Sequence, residues 1–86
     1  MKKLIQEVEN EGFEKLLGET VTLLCMNYFY NGVLTGVNDT CVLLSDPKLI
    51  YETGRWTDSK WKDAQSMGLE ELYVQKHTIE SFGVTK

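Results

Sequence analysis

Residues 28–46, YFYNGVLTGVNDTCVLLSD, constrain this chain more than any other stretch. Alternating apolar residues run up to Gly36 and resume at Thr40, with Asn38–Asp39 between them. An Asn-Asp pair tolerates the positive φ that two-residue hairpin turns require, so strand, tight turn and strand are predicted. In the first strand Phe29, Asn31, Val33, Thr35 and Val37 share one face, and Tyr28, Tyr30, Gly32, Leu34 and Gly36 the other. Glycines four apart on one face imply strong bending or a close backbone approach. In the second strand Pro47 offers no N–H to a ladder, so a bulge is expected before Lys48–Tyr51 resumes the pairing.

The flanks build a sheet around this hairpin. Thr20–Met26 alternates Val21, Leu23 and Cys25 against Thr22, Leu24 and Met26. Both sets are apolar enough that a strand covered on both sides is expected. Upstream, residues 3–17 carry helix signals: Leu4, Ile5 and Val8 form one apolar cluster, and Phe13, Leu16 and Leu17 another. The clusters point in different directions about Gly12, which predicts a bend there, and Gly18 suits a helix end. The second helical piece is expected to lie across the open end of the sheet.

Downstream, residues 53–68 turn polar yet hold both tryptophans, and read as a long hairpin arm or loop. Glu71–Gln75 and Ile79–Val84 are predicted strands joined by a sharp turn at Lys76–His77–Thr78. The expectation is therefore one mainly β domain over residues 1–86. An N-terminal α-helix precedes a five-stranded, strongly bent antiparallel sheet, closed or nearly closed into a small barrel.

A chain of 86 residues buries only ~60% of its unfolded surface, so a dense core or partner subunits must help. The net charge of −4 argues against a generic nucleic-acid binder, whose footprint is basic. No apolar run approaches the ~20 residues that cross a bilayer. The opening Met-Lys-Lys-Leu-Ile resembles the basic end of a secretory signal, but Gln6 and Glu7 interrupt it. A cytoplasmic chain is expected, with Cys25 and Cys41 as reduced thiols in the sheet wall.

Chemistry-bearing motifs are sparse. His77 has no second His or suitable Cys at ligand spacing, so no metal site is expected. It reads either as a solvated turn histidine or as a ligand contact. Neither cysteine has a basic neighbour that would activate it as a nucleophile. No phosphate-binding loop, nucleophile elbow or zinc-protease motif occurs, so neither an enzyme nor a cofactor is expected. Arg55–Trp56 and Lys60–Trp61–Lys62 mix cations with aromatics as single-stranded nucleic-acid sites do, but Asp58 and Asp63 nearly cancel the charge. Trp56 and Trp61 are expected instead to pack on the base of the arm or on a neighbouring subunit.

Taken with this order of elements, GVLTGVNDTCVLL and LYVQKHTIESFGV resemble the Sm-like family, closest to its bacterial Hfq branch. The likeness covers roughly residues 13–84 apart from the Trp-bearing arm. Val74–Gln75–Lys76–His77–Thr78–Ile79 is similar to the Lys-His turn of Hfq. The resemblance implies an Sm-like, SH3-like small barrel that forms homo-oligomeric rings by pairing the fourth strand of one subunit with the fifth of the next. It also implies binding of single-stranded RNA around the pore. By position Asn38, Asp39 and Thr40 would face the pore from one turn, and Lys76 and His77 from the other. This chain has Thr40 where Hfq carries a stacking aromatic and Asp39 where Hfq carries Gln. A second expectation is a homo-oligomeric scaffold or adaptor ring that makes protein contacts through Trp56 and Trp61.

Overall fold

A computed structural model describes residues 12–57 and 61–85. Six strands form one antiparallel sheet: β1 Thr20–Cys25, β2 Phe29–Val37, β3 Cys41–Glu52, β4 Asp63–Ser66, β5 Glu71–Gln75 and β6 Ile79–Val84. Their order is β4-β3-β2-β1-β6, with β5 pairing the other half of β3. β5 and β6 follow one another in the chain but share no ladder, so the sheet is strongly bent and stays open there.

The bend sits where β2 crosses β3. Asn31 pairs with Lys48 and Val33 with Ser45, so Gly32 faces the extra residue of a bulge at Asp46–Pro47. Asp46 has φ 50°. A Cβ on Gly32 would lie 3.0 Å from the carbonyl oxygen of Ser45, so the close approach expected from the glycine is present. The two halves of β3 then take different neighbours. Cys41–Ser45 pairs with β5, and Lys48–Glu52 pairs with β4. Asp46 N–H donates to the carbonyl of Glu70, and Met67 N–H to that of Pro47, which fastens segment 67–70 across the corner.

The strand alternation holds. Val21, Leu23 and Cys25 of β1, Leu34 of β2, Val42 and Leu44 of β3 and Val74 of β5 form one buried cluster. Each such side chain contributes about 1.5–3 kcal/mol of burial, set against the entropy of ordering it. The other face of β1 is covered too, since Thr22 is buried and Leu24 half-buried. Met26 lies outside the strand and is 73% exposed.

Three expectations need correction. There is no α-helix among the described residues. Residues 3–11 of the expected helix lie outside them, and Glu14–Leu16 is a single 3₁₀ turn. Gly12 and Gly18, at φ 60° and 89°, stop the helical run on both sides, and so few residues cannot meet the cost of an α-helical nucleus. Phe13 and Leu16 still pack against the core as expected of that piece. Second, the sheet has six strands and not five, because the arm contains β4. The strands expected as fourth and fifth are β5 and β6. Third, the turn after β2 uses no positive φ. Asn38 Oδ1 instead accepts from the N–H groups of Thr40 and Cys41, both at 2.9 Å, and this side-chain cap closes the loop.

Candidate functional site

The two turns singled out in the sequence lie side by side. β5 pairs with the start of β3, Gln75 opposite Cys41, and the next residue carries the contact onward. Lys76 N–H donates to the carbonyl of Thr40 at 2.8 Å. Asn38, Asp39, Thr40, Lys76 and His77 are thereby brought to one end of the sheet. Asn38, Asp39, Thr40 and His77 are exposed, and Lys76 is half-buried.

The second turn is a 3₁₀ turn over Lys76–Thr78, fixed from several sides. Thr78 Oγ1 donates to the carbonyl of Gln75 at 2.7 Å. The carbonyl of Thr78 accepts from Met26 N–H at 2.9 Å, which ties the turn to the end of β1. Cys25 lies beneath it. Burial raises the Cys25 thiol pKa, and a hydrogen bond with the Thr78 side chain offsets part of that rise. Tyr30 is raised as well, by burial first and then by repulsion from Cys25 and Tyr28.

The site's chemistry is hydrogen bonding and charge. Lys76 brings an ammonium with three donors, and His77 a ring that donates or accepts. Oδ1 of Asn38 is held by its own turn, so its NH₂ group is what can address a ligand. Asp39 adds an exposed carboxylate. Among the described residues no group of three His, Cys, Asp or Glu side chains gathers as a metal site.

Two aromatic residues join this end without any local sequence signal. The Phe13 and Phe82 rings stack with centroids 3.9 Å apart and planes 20° from parallel. Lys76 Nζ lies 5.6 Å from the Phe13 centroid, within cation–π range. Phe13 reads in the sequence as a core-facing helix residue and Phe82 as one position of a strand. The pairing of β6 with β1 sets Phe82 opposite Leu23, where the turn that carries Phe13 reaches it.

The tryptophans belong to a separate cluster on the outer face of β1. Trp61 Nε1 donates to Thr22 Oγ1 at 3.2 Å, so this tryptophan packs on the chain's own sheet. Trp56 meets Trp61 edge to face at 6.1 Å and is 67% exposed. An open groove of about 430 Å³ lies at the far end of the β2–β3 ladder from Asn38, lined in part by Tyr28, Ile50 and Tyr51. No helix among the described residues is long and apolar enough to cross a membrane.

Comparison with protein-family models, with curated proteins and with solved structures finds no match to this chain.

Proposed function

We infer that this chain is an Sm-like protein, closest to the Hfq branch, that assembles into a homo-oligomeric ring and binds single-stranded RNA. The reading rests on one observation above the others. The Lys76–Thr40 hydrogen bond joins two turns that are far apart in sequence, so Asn38, Asp39, Thr40, Lys76 and His77 present one polar surface. In a ring that surface repeats around the pore, so each copy sets one Lys76 ammonium, beside one Asp39 carboxylate, where phosphates pass.

Assembly has its own support. Among the described residues β4, β5 and β6 each pair on one side only, and unpaired strand edges are templates for another chain. Tyr73 on β5 and Val84 on β6 are 67% and 52% exposed, the kind of apolar surface that a neighbouring subunit covers. Pairing β5 of one copy with β6 of the next uses two of these edges at once and leaves β4 as the third. The free thiols of Cys25 and Cys41 suit a cytoplasmic setting.

Oligo(U) and oligo(A) binding measured across a salt series tests the RNA reading, with sizing-column light scattering in parallel. A ring-sized particle is expected, with affinity that falls as salt rises and is largely lost in Lys76→Ala/His77→Ala. A 10 kDa particle, or no binding to either strand at low salt, overturns the reading.

The exposure of Trp56 favours a second reading, a scaffold or adaptor ring that holds protein partners through the Trp56/Trp61 arm. Assembly with no RNA binding, and partner capture lost in Trp56→Ala, would select it.

A further inference from the structure

The open groove of about 430 Å³ at the Tyr28 end of the sheet belongs to neither of the two turns. Its lining follows both strands, from Asn27 to Phe29 and from Leu49 to Thr53. Phe29 pairs with Ile50, so one step further the same register sets Tyr28 beside Tyr51. These tyrosines are 57% and 62% exposed, and Tyr28 leans on Tyr30 with ring centroids 6.3 Å apart. Each offers a partner an apolar face and a hydroxyl. Glu52 is the one charged residue among the described residues that line the groove, and the β3–β4 register sets Asp63 opposite it. Both carboxylates are exposed, so this end of the sheet attracts cations and repels phosphate.

The backbone narrows the shape of the occupant. Phe29–Asn31 is paired by β1 on one side and β3 on the other, and Lys48–Ile50 by β2 and β4. No ladder position is free here, so a partner cannot dock by strand addition. A helical partner spends its carbonyls on internal hydrogen bonds and leaves the tyrosine hydroxyls unanswered. A polyproline II segment makes no internal hydrogen bonds, so its carbonyls accept from such hydroxyls while its proline rings lie on the aromatic faces.

We propose that the Tyr28–Tyr51 groove binds a proline-rich segment of a partner protein in the polyproline II form, with an arginine or lysine of that segment beside Glu52. The site uses neither Lys76 nor a neighbouring subunit, so it stands apart from the RNA reading.

Fluorescence anisotropy on the intact protein tests it with three labelled peptides of equal length. One is oligoproline flanked by arginines, one is oligoproline flanked by glutamates, and one is a Gly-Ser peptide flanked by arginines. The first is expected to bind saturably and at least about tenfold more tightly than the third, because its extended form is already in place. Tyr51→Ala or Tyr28→Ala is expected to weaken it about tenfold by removing one ring from the contact. Glu52→Gln narrows the preference for arginine over glutamate flanks by a few-fold at low salt, and added salt erases that difference. Circular dichroism checks each fold, and Tyr51→Ala decides alone if loss of the Tyr28 ring disturbs Tyr30.

No saturable binding of the arginine-flanked oligoproline, equal affinity for the Gly-Ser peptide, or binding unchanged in Tyr51→Ala overturns the proposal. If Tyr51→Ala instead lowers the particle mass by light scattering, another copy covers the groove. If it lowers oligo(U) binding, the groove takes RNA, and either result displaces the peptide. Lys76→Ala leaves oligoproline binding unchanged, so failure here and failure of the RNA reading are told apart.

Discussion

Trp61 and Thr22 are joined by a hydrogen bond from the indole N–H to the threonine hydroxyl, 3.2 Å long, which fastens the arm to the sheet. The same hydroxyl lies 3.2 Å from the Asn31 side-chain nitrogen and 2.8 Å from the hydroxyl of Thr85. Asn31 Nδ2 also donates to Thr85 at 2.8 Å. Thr22 Oγ1 thus joins the indole, the Asn31 amide and the Thr85 hydroxyl in one network, to which the Val21 carbonyl adds an acceptor 3.3 Å from Asn31 Nδ2. Together with the bond from Thr85 N–H to the Thr20 carbonyl at 2.8 Å, this network holds the chain's last described residue.

Replacing Thr22 with valine keeps the shape and deletes the acceptor. The indole N–H and part of the Asn31 amide then lose their partner, at a cost of about 1–3 kcal/mol. Urea unfolding reads the loss as a lower midpoint. Tryptophan emission in the folded state shifts to the red as Trp61 leaves the sheet. An unchanged midpoint with unchanged emission would show that the network holds nothing in place.

Gly32 and Gly83 make an internal comparison. A methyl group on Gly32 meets the Ser45 carbonyl at 3.0 Å and Leu44 Cβ at 3.2 Å, while one on Gly83 meets nothing within 4 Å. Gly32→Ala is expected to destabilise by about 1–3 kcal/mol, because backbone has to move at the corner of β3. Gly83→Ala is expected to be neutral or slightly stabilising, through the unfolded chain. Thermal melts of the two variants decide it, and equal losses would refute the contact argument.

Cys25 and Tyr30 give the fold an alkaline limit. Both protons are held more tightly in the folded chain than in the unfolded one. Above the ordinary thiol pKa of about 8.5 the unfolded chain releases its Cys25 proton while the folded chain still holds it. Stability is therefore intact below that pH and falls as pH rises through the raised folded value, with Tyr30 adding to the decline further up. Denaturant midpoints between pH 7 and 10 measure the slope, and Cys25→Ala should flatten its first part. A slope identical in that variant would rule out Cys25 as the cause.

Much of this fold is legible in the sequence because it obeys period two. Val21, Leu23 and Cys25, or Val42 and Leu44, could face only one way, and Gly32 and Pro47 marked the corner. β4 was hidden because Asp63–Ala64–Gln65–Ser66 has no apolar face; it is a strand by virtue of its pairing with β3. The helix signal at Phe13–Leu17 was real as amphipathicity but lay between two glycines. At Asn38 the residue pointed to a turn, while the device, a side-chain cap in place of a positive φ, needed coordinates. The likeness set both turns toward a pore, while the 2.8 Å Lys76–Thr40 bond that joins them has no signature in either turn's residues. The Phe13–Phe82 stack had no local trace, since its partners come from opposite ends of the chain.

The pairing order also sets a sequence of events. Ladders from β1 to β4 join strands that follow one another in the chain, whereas the β1–β6 ladder joins its remote ends. Closing the longest loop forfeits the most chain entropy, so this ladder forms after the others and opens before them. Phe82 and Thr85 both depend on it. The Phe13–Phe82 stack is thus expected to be among the first contacts to open, and amide exchange along β6 that is no faster than along β2 and β3 would refute this.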